Sequence, residues 1–205
     1  MKRSVKINNL VIGAGQPVRV ESMLKTRLND RDACVAQCES LLNCGCELAR
    51  VALPRADLYE DLKYLVNRAK LTLMADIHFD PNLAILAMQA GCKAIRINPG
   101  NMPLNRLNDV IAMAKDLGAV IRIGANGGSV SERQLEEAKG DRAKALFLAV
   151  REQAELLLNN KFENLILSAK SSSVPECVRA NVMINNYYPE LVMHIGLTEA
   201  GPGDG

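Results

Sequence analysis

The sequence predicts an α/β fold: a (β/α)8 barrel of the TIM type, incomplete at about seven strands and preceded by an N-terminal β-hairpin. Three observations lead there. From Val18 onward, strand-like runs alternate without interruption with helical patterns, which implies a parallel sheet covered by helices. The strand runs are apolar on both sides, as strands buried on two faces must be. Finally, polar residues recur at the C-terminal ends of nearly every strand. Barrel active sites lie there, whereas a doubly wound sheet would gather such residues at one switch point.

Taken in order, Val5-Lys6-Ile7, Asn8-Asn9 and Leu10-Val11-Ile12-Gly13 read as a small hairpin, because Asn tolerates the positive φ of a tight primed turn. The alternation then runs strand near 18–22, helix 30–44, strand 48–52, helix 56–69, strand 71–76, helix 81–90, strand 94–97 and helix 104–117. It continues with strand 119–124, helices across 131–158, strand 164–168, helix 175–187 and strand 191–197. Helix ends carry their own signals. Asp80-Pro81 places a capping carboxylate before a proline at the first helical position, and Gly45, Gly91 and Gly118 sit just beyond helical runs, where a left-handed residue ends a helix. One domain is expected over 1–205, with the hairpin within 1–17 and the last barrel strand absent. An open barrel of this kind has two unpaired edges, which predicts marginal stability or association.

Composition narrows the function. With 205 residues, 48% hydrophobic and 23% charged, the chain can bury a full core, and its net charge of +2 is too balanced to advertise nucleic-acid binding. It has no Trp and only 3% aromatics, so the stacking platforms of single-strand binders are missing. No apolar stretch follows Met1-Lys2-Arg3 and no run approaches a membrane span, so no membrane partner and a cytoplasmic location are expected. The six cysteines show no C-x-x-C pair and read as buried thiols, with no metal site built from them.

The informative charge is local. An arginine interrupts three strand runs, Leu48-Ala49-Arg50-Val51-Ala52, Ala94-Ile95-Arg96-Ile97-Asn98 and Val120-Ile121-Arg122-Ile123-Gly124, and Lys170 closes a fourth after Leu165-Ile166-Leu167-Ser168-Ala169. An unpaired charge buried there costs several kcal/mol, so something anionic must meet these cations. Because side chains alternate, each Arg faces the interior while the Val or Ile after it packs under the helices. Repeated around a barrel, the pattern aims fixed cations at one volume, read here as a phosphate or diphosphate site. Asn98-Pro99-Gly100-Asn101 and Gly124-Ala125-Asn126-Gly127-Gly128-Ser129 follow two of these strands, and their glycines let backbone N–H groups approach an anion. Asp76 and His78 share a face at the end of the third strand, and His194 lies near the end of the seventh with Thr198-Glu199 beyond. They suit substrate contact or proton transfer; two histidines are a thin supply for a metal. The competing reading of the cations is internal ion pairing with Glu21, Asp76 and Glu199, which the four cations outnumber.

Glu21-Ser22-Met23, Arg50-Val51-Ala52-Leu53-Pro54, Ala75-Asp76-Ile77-His78-Phe79-Asp80, Arg96-Ile97-Asn98-Pro99-Gly100-Asn101, Arg122-Ile123-Gly124 with Asn126, and His194 through Gly201 together resemble the 4-hydroxy-3-methylbut-2-enyl diphosphate synthases. These are oxidoreductases of the methylerythritol phosphate route to isoprenoids. The resemblance runs in order over nearly the whole chain. It implies a barrel that binds 2-C-methyl-D-erythritol 2,4-cyclodiphosphate, followed by a smaller C-terminal domain holding a [4Fe-4S] cluster. That cluster takes electrons from flavodoxin or ferredoxin, and the full-length protein is a homodimer. By position, Arg50, Arg96, Arg122 and Lys170 would hold the diphosphate, with Asp76, His78, Asn98, Asn126 and Thr198 lining the site and Glu199 acting as the catalytic acid near the departing oxygen.

The chain also departs from the family pattern. It stops at Gly205, where family members continue into the last strand and the cluster domain, and none of its six cysteines corresponds to the cluster ligands. Met23-Leu24-Lys25-Thr26 replaces the more usual Met-Thr-Asn-Thr, and Glu21 stands where Gln is common. The expectation is therefore a diphosphate-binding barrel that is inactive alone. The alternatives are a non-catalytic binding or assembly module and a pterin-binding barrel resembling dihydropteroate synthase.

Overall fold

The computed structural model of the chain describes residues 3–197. An antiparallel hairpin comes first, β1 (Ser4–Ile7) paired with β2 (Leu10–Gly13). Of the two turn asparagines only Asn8 takes a positive φ, +54°. Seven parallel strands then form one sheet in chain order: β3 (Glu21–Met23), β4 (Leu48–Ala52), β5 (Thr72–Asp76), β6 (Ala94–Ile97), β7 (Val120–Asn126), β8 (Leu165–Lys170) and β9 (Val192–Ile195). Between them run α1 (Arg31–Asn43), α2 (Tyr59–Arg68), α3 (Pro81–Gln89), α4 (Leu104–Leu117), α5 (Glu132–Glu137), α6 (Arg142–Leu158) and α7 (Val174–Tyr187).

The helix ends follow the side-chain chemistry. Asp80 accepts a hydrogen bond from the Asn82 amide ahead of Pro81, and Asp30, Ser131, Asp141 and Ser173 cap α1, α5, α6 and α7 in the same way. Gly118 closes α4 at φ +63°, a conformation that glycine adopts without a Cβ penalty.

Four strands differ by more than one residue from the sequence reading, the last of them, expected over 191–197, spanning only Val192–Ile195. The first barrel strand, expected near 18–22, spans Glu21–Met23. The segment before it is held by Glu47, whose carboxylate accepts from Arg19 at 2.6 Å and from the Val20 amide at 3.1 Å. A side chain thus takes a position that a strand partner would fill, and Val18 and Val20 stay exposed. β7 and β8 both run two residues further than expected, pairing Ala125 with Ala169 and Asn126 with Lys170. Gly124 allows this close passage, because a Cβ there would collide with the Ser168 carbonyl oxygen.

Alternation along the strands separates two cores. Outward residues such as Val51, Ala75, Ile95, Ile121 and Leu167 pack under the helices against Leu62, Leu65, Val110, Val150 and Ile184. Inward residues at the strand starts, Leu48, Met74, Ala94, Val120, Ile166 and Val192, form a separate cluster plugged by Val5 and Ile7 of the hairpin. Among the described residues the sheet does not close, so β3 and β9 are its edges. On the β9 flank, Val174, Val178 and Val182 of α7 are exposed at helical spacing. No helix among the described residues is long and apolar enough to cross a membrane.

Candidate functional site

Two residues beyond the apolar plug, every strand from β4 to β9 changes character. Leu48 is followed on the same face by Arg50, Met74 by Asp76, Ala94 by Arg96, Val120 by Arg122, Ile166 by Ser168 and Val192 by His194. One step further come His78, Asn98, Gly124 and Lys170. The period of two of a β-strand therefore converts six sequence positions into a polar, largely charged ring directly above an apolar one.

The ring is wired by ion pairs. Asp76, 1% exposed, accepts from Arg50 through a short contact and from Arg96 at 3.3 Å. Arg122, 2% exposed, places Nη1 at 2.6 Å from both oxygens of Glu21, which reaches across from β3. Internal pairing, the competing reading, thus holds for all three arginines. Two carboxylates nevertheless face four cations, because Asp76 is shared by two arginines and Lys170 pairs with no carboxylate among the described residues. A surplus of two positive charges remains around a cavity of about 210 Å³ lined by Arg50, His78, Arg96, Arg122, Asn126 and Lys170, with Ser168 at its side.

Protonation follows from this wiring. Burial works against the Asp76 carboxylate, yet the charge and hydrogen bond of Arg50, with Arg96 and His78, hold it below its ordinary value. Burial pulls Arg122 down while Glu21 opposes it. Lys170 is lowered to about 8, first by burial and then by Arg50 and Arg122. His194 is pushed down to about 3 by burial and the same cations, so at neutral pH it is an uncharged imidazole. Its Nδ1 lies 2.9 Å from the Ser168 hydroxyl and its Nε2 3.6 Å from Glu21.

Of the residues singled out from sequence, Arg50, His78, Arg96, Arg122, Asn126 and Lys170 meet at the cavity wall. Asp76 instead ties two of the arginines together from a buried position. Asn98 does not line the cavity, and its Oδ1 is buried without a partner. Thr198 and Glu199 lie outside the described residues. Ser168 was missed, although a hydroxyl two residues before Lys170 on an otherwise apolar strand is the same signal that marks the arginines.

Five of the six cysteines are poorly placed to hold an iron–sulfur cluster, and the sixth, Cys44, is the one exposed thiol, too few for a cluster that needs several. Cys34, Cys38, Cys46, Cys92 and Cys177 are buried, and burial pushes Cys38 up to about 11 and Cys92 up to about 12. A metal ligand must be a thiolate, the form that this burial disfavours in the metal-free protein. Among the described residues no three His, Cys, Asp or Glu side chains gather at metal-binding distance.

The fold agrees with comparisons to known proteins. The 4-hydroxy-3-methylbut-2-en-1-yl diphosphate synthase (flavodoxin) of Thermotoga maritima is 42% identical over 201 residues, covering 98% of this chain and 57% of that protein. The protein of the same name from Aquifex aeolicus is 36% identical over 202 residues, covering 98% and 56%. The chain thus spans somewhat more than half the length of the curated relatives it matches. Among solved structures, a 3-dehydroquinate dehydratase from Geobacillus kaustophilus superimposes with a TM-score of 0.63 at 12% identity, covering 95% of this chain and 78% of that one. A 7,8-dihydropteroate synthase from Vibrio fischeri gives 0.57 at 11%, covering 93% and 76%. At such identities these two show the fold alone. The GcpE TIM-barrel domain model matches residues 2–205, and the chain belongs to that family.

Proposed function

We propose that this chain is the diphosphate-binding barrel of a 4-hydroxy-3-methylbut-2-enyl diphosphate synthase, one domain over residues 1–205. It would hold 2-C-methyl-D-erythritol 2,4-cyclodiphosphate while that ring is reductively opened and a hydroxyl leaves as water. The observation that carries the reading is the surplus of positive charge around the cavity. Arg50, Arg96 and Arg122 offer planar forks fixed in direction by Asp76 and Glu21, and Lys170 adds a movable point charge. Donors held in advance stabilise the charge that develops on a leaving phosphate without having to reorganise. Neutral His194 and Ser168 add hydrogen-bonding capacity without changing the charge.

The acid beside the departing oxygen is assigned to Glu199 by position, with Thr198 next to it. Asn126 at the end of β7 lines the cavity as a further donor, whereas Asn98, just after β6, would reach the ligand only if its side chain turned toward the cavity. The [4Fe-4S] cluster, the flavodoxin or ferredoxin that reduces it and the homodimeric full-length state belong on this reading to a larger cytoplasmic protein, because no suitable ligand group gathers among the described residues. The relatives carry flavodoxin in their names.

Titration calorimetry tests the reading. The cyclic diphosphate should bind saturably, and Lys170→Met should weaken it by about tenfold, the loss of one charge-assisted contact. Lys170 makes no ion pair with a described carboxylate, so the variant leaves the internal wiring intact. A dihydropterin diphosphate binding more tightly than the cyclic diphosphate would overturn the assignment.

A further inference from the structure

Glu21 reaches into the ring from β3 and, like Asp76, brings a negative charge that works against anion binding. Asp76 binds two guanidiniums and offsets their mutual repulsion; Glu21 serves Arg122 alone, with both oxygens on the same nitrogen. Its closest imidazole, His194, is uncharged at neutral pH and does not offset it. Its negative charge also reaches Lys170, whose ammonium it favours. Four cations and two carboxylates leave a surplus of two charges among the described residues. With a neutral side chain at position 21 the surplus would be three.

That difference matches a difference between two ligands of the proposed reaction. In a cyclic diphosphate each phosphorus bears one ionised oxygen. Once a ring C–O bond is reduced, the freed phosphate becomes terminal and gains a second ionisable oxygen, whose proton is lost near pH ~6. Ring opening therefore adds one negative charge close to the Arg122–Glu21 pair, whose side chains are only 2% and 12% exposed, where charges interact more strongly than in water.

We propose that Glu21 is a specificity-determining residue that sets the chamber's charge to hold the cyclic diphosphate and to disfavour the open-chain diphosphate, easing departure of the opened product. This rests on the functional reading above. It differs from a purely structural role for Glu21, which would affect both ligands alike.

The experiment is a paired measurement of affinity, by calorimetry at pH 7.5 or thereabouts, for the cyclic diphosphate and for a monoalkyl diphosphate. The unaltered chain, Glu21→Gln and Glu21→Asp would each be measured. Gln keeps the shape and one acceptor for Arg122 while removing the charge, so E21Q should shift the ratio of affinities toward the open-chain ligand by about tenfold. E21D keeps the charge and should leave the ratio unchanged even if its shorter reach weakens both ligands. Equal gains or equal losses for the two ligands in E21Q would overturn the proposal while leaving the functional reading intact. If the unaltered chain bound no cyclic diphosphate at all, the functional reading would fall and this inference with it.

Discussion

Two rings of side chains inside this barrel are built on the same strands two residues apart, and they have opposite chemistry. The lower ring of Leu48, Met74, Ala94, Val120, Ile166 and Val192 is apolar, buried and sealed by Val5 and Ile7. The upper ring of Arg50, Asp76, Arg96, Arg122, Ser168 and His194 is polar, ion-paired and open to a cavity. Backbone geometry cannot explain the contrast, since each pair shares a strand and a face. What differs is the lid. The hairpin closes one end of the barrel with hydrocarbon, and the strand C-termini leave the other end to solvent and ligand. The lower ring supplies hydrophobic stabilisation. The upper ring spends some of it to hold charges in place, because a buried ion pair returns little net stability against well-packed hydrocarbon.

The comparison breaks most severely if the upper ring's chemistry is written into the lower one. Met74 is fully buried against the hairpin, with no carboxylate in its cluster. Met74→Lys should cost more than about 4 kcal/mol, the range for an uncompensated buried charge, and leave little folded protein by circular dichroism. Met74→Leu, which keeps hydrocarbon of similar volume, should cost less than about 1.5 kcal/mol. Near-native stability of the lysine variant would show that the lower ring admits water, and the division between the rings would lose its basis.

A smaller effect is expected within the upper ring. Asp76→Asn leaves Arg50 and Arg96 close together without their shared counter-ion and should lose about 3 kcal/mol in urea unfolding. A bound diphosphate should restore part of that loss, because it supplies the missing negative charge. The pH dependence sharpens the test. The folded-state value of Asp76 lies below the ordinary 3.8, so its contribution is complete above the unfolded value and disappears as pH falls through the lower folded one. The unaltered chain should therefore lose stability on acidification below about pH 4, and D76N should show a flatter acid limb. An equally steep limb in the variant would assign acid unfolding to other carboxylates.

Much of this arrangement was legible in the sequence because its signals are local. Alternation along a strand needs only neighbouring residues, so the inward turn of Arg50, Arg96 and Arg122 could be read directly. Helix ends marked by Asp80-Pro81 and Gly118 were equally local. What escaped depends on distance in the chain. Glu21 and Arg122 are 101 residues apart, and no pattern in either strand says which carboxylate closes on which guanidinium. The displaced start of β3 reflects a side chain, Glu47, competing for a strand position, which propensity does not register. Close packing at Gly124 concerns the partner strand, so the extra length of β7 and β8 was invisible as well.

The finest test of the contrast uses the single cation of the upper end that no described carboxylate neutralises. Lys170 is lowered to about 8 by burial and by its arginine neighbours, so a fraction of the free protein already lacks this charge in mildly alkaline solution. An anion in the cavity favours the ammonium form and raises the value in the complex. Binding should then be strongest below pH 8 and weaken as pH rises through that value, approaching a tenfold loss for each unit until the value of the complex is reached. Calorimetry with the cyclic diphosphate in buffers of different ionisation enthalpy should show proton uptake on binding near pH 8 and little below pH ~6.5. Lys170→Met should bind more weakly, with a flat profile and no proton uptake across the same range. A sloping profile retained in the methionine variant would move the titration to another group. The upper ring would then be a rigid cage of permanently charged arginines, and Lys170 would be no more than a spectator at its rim.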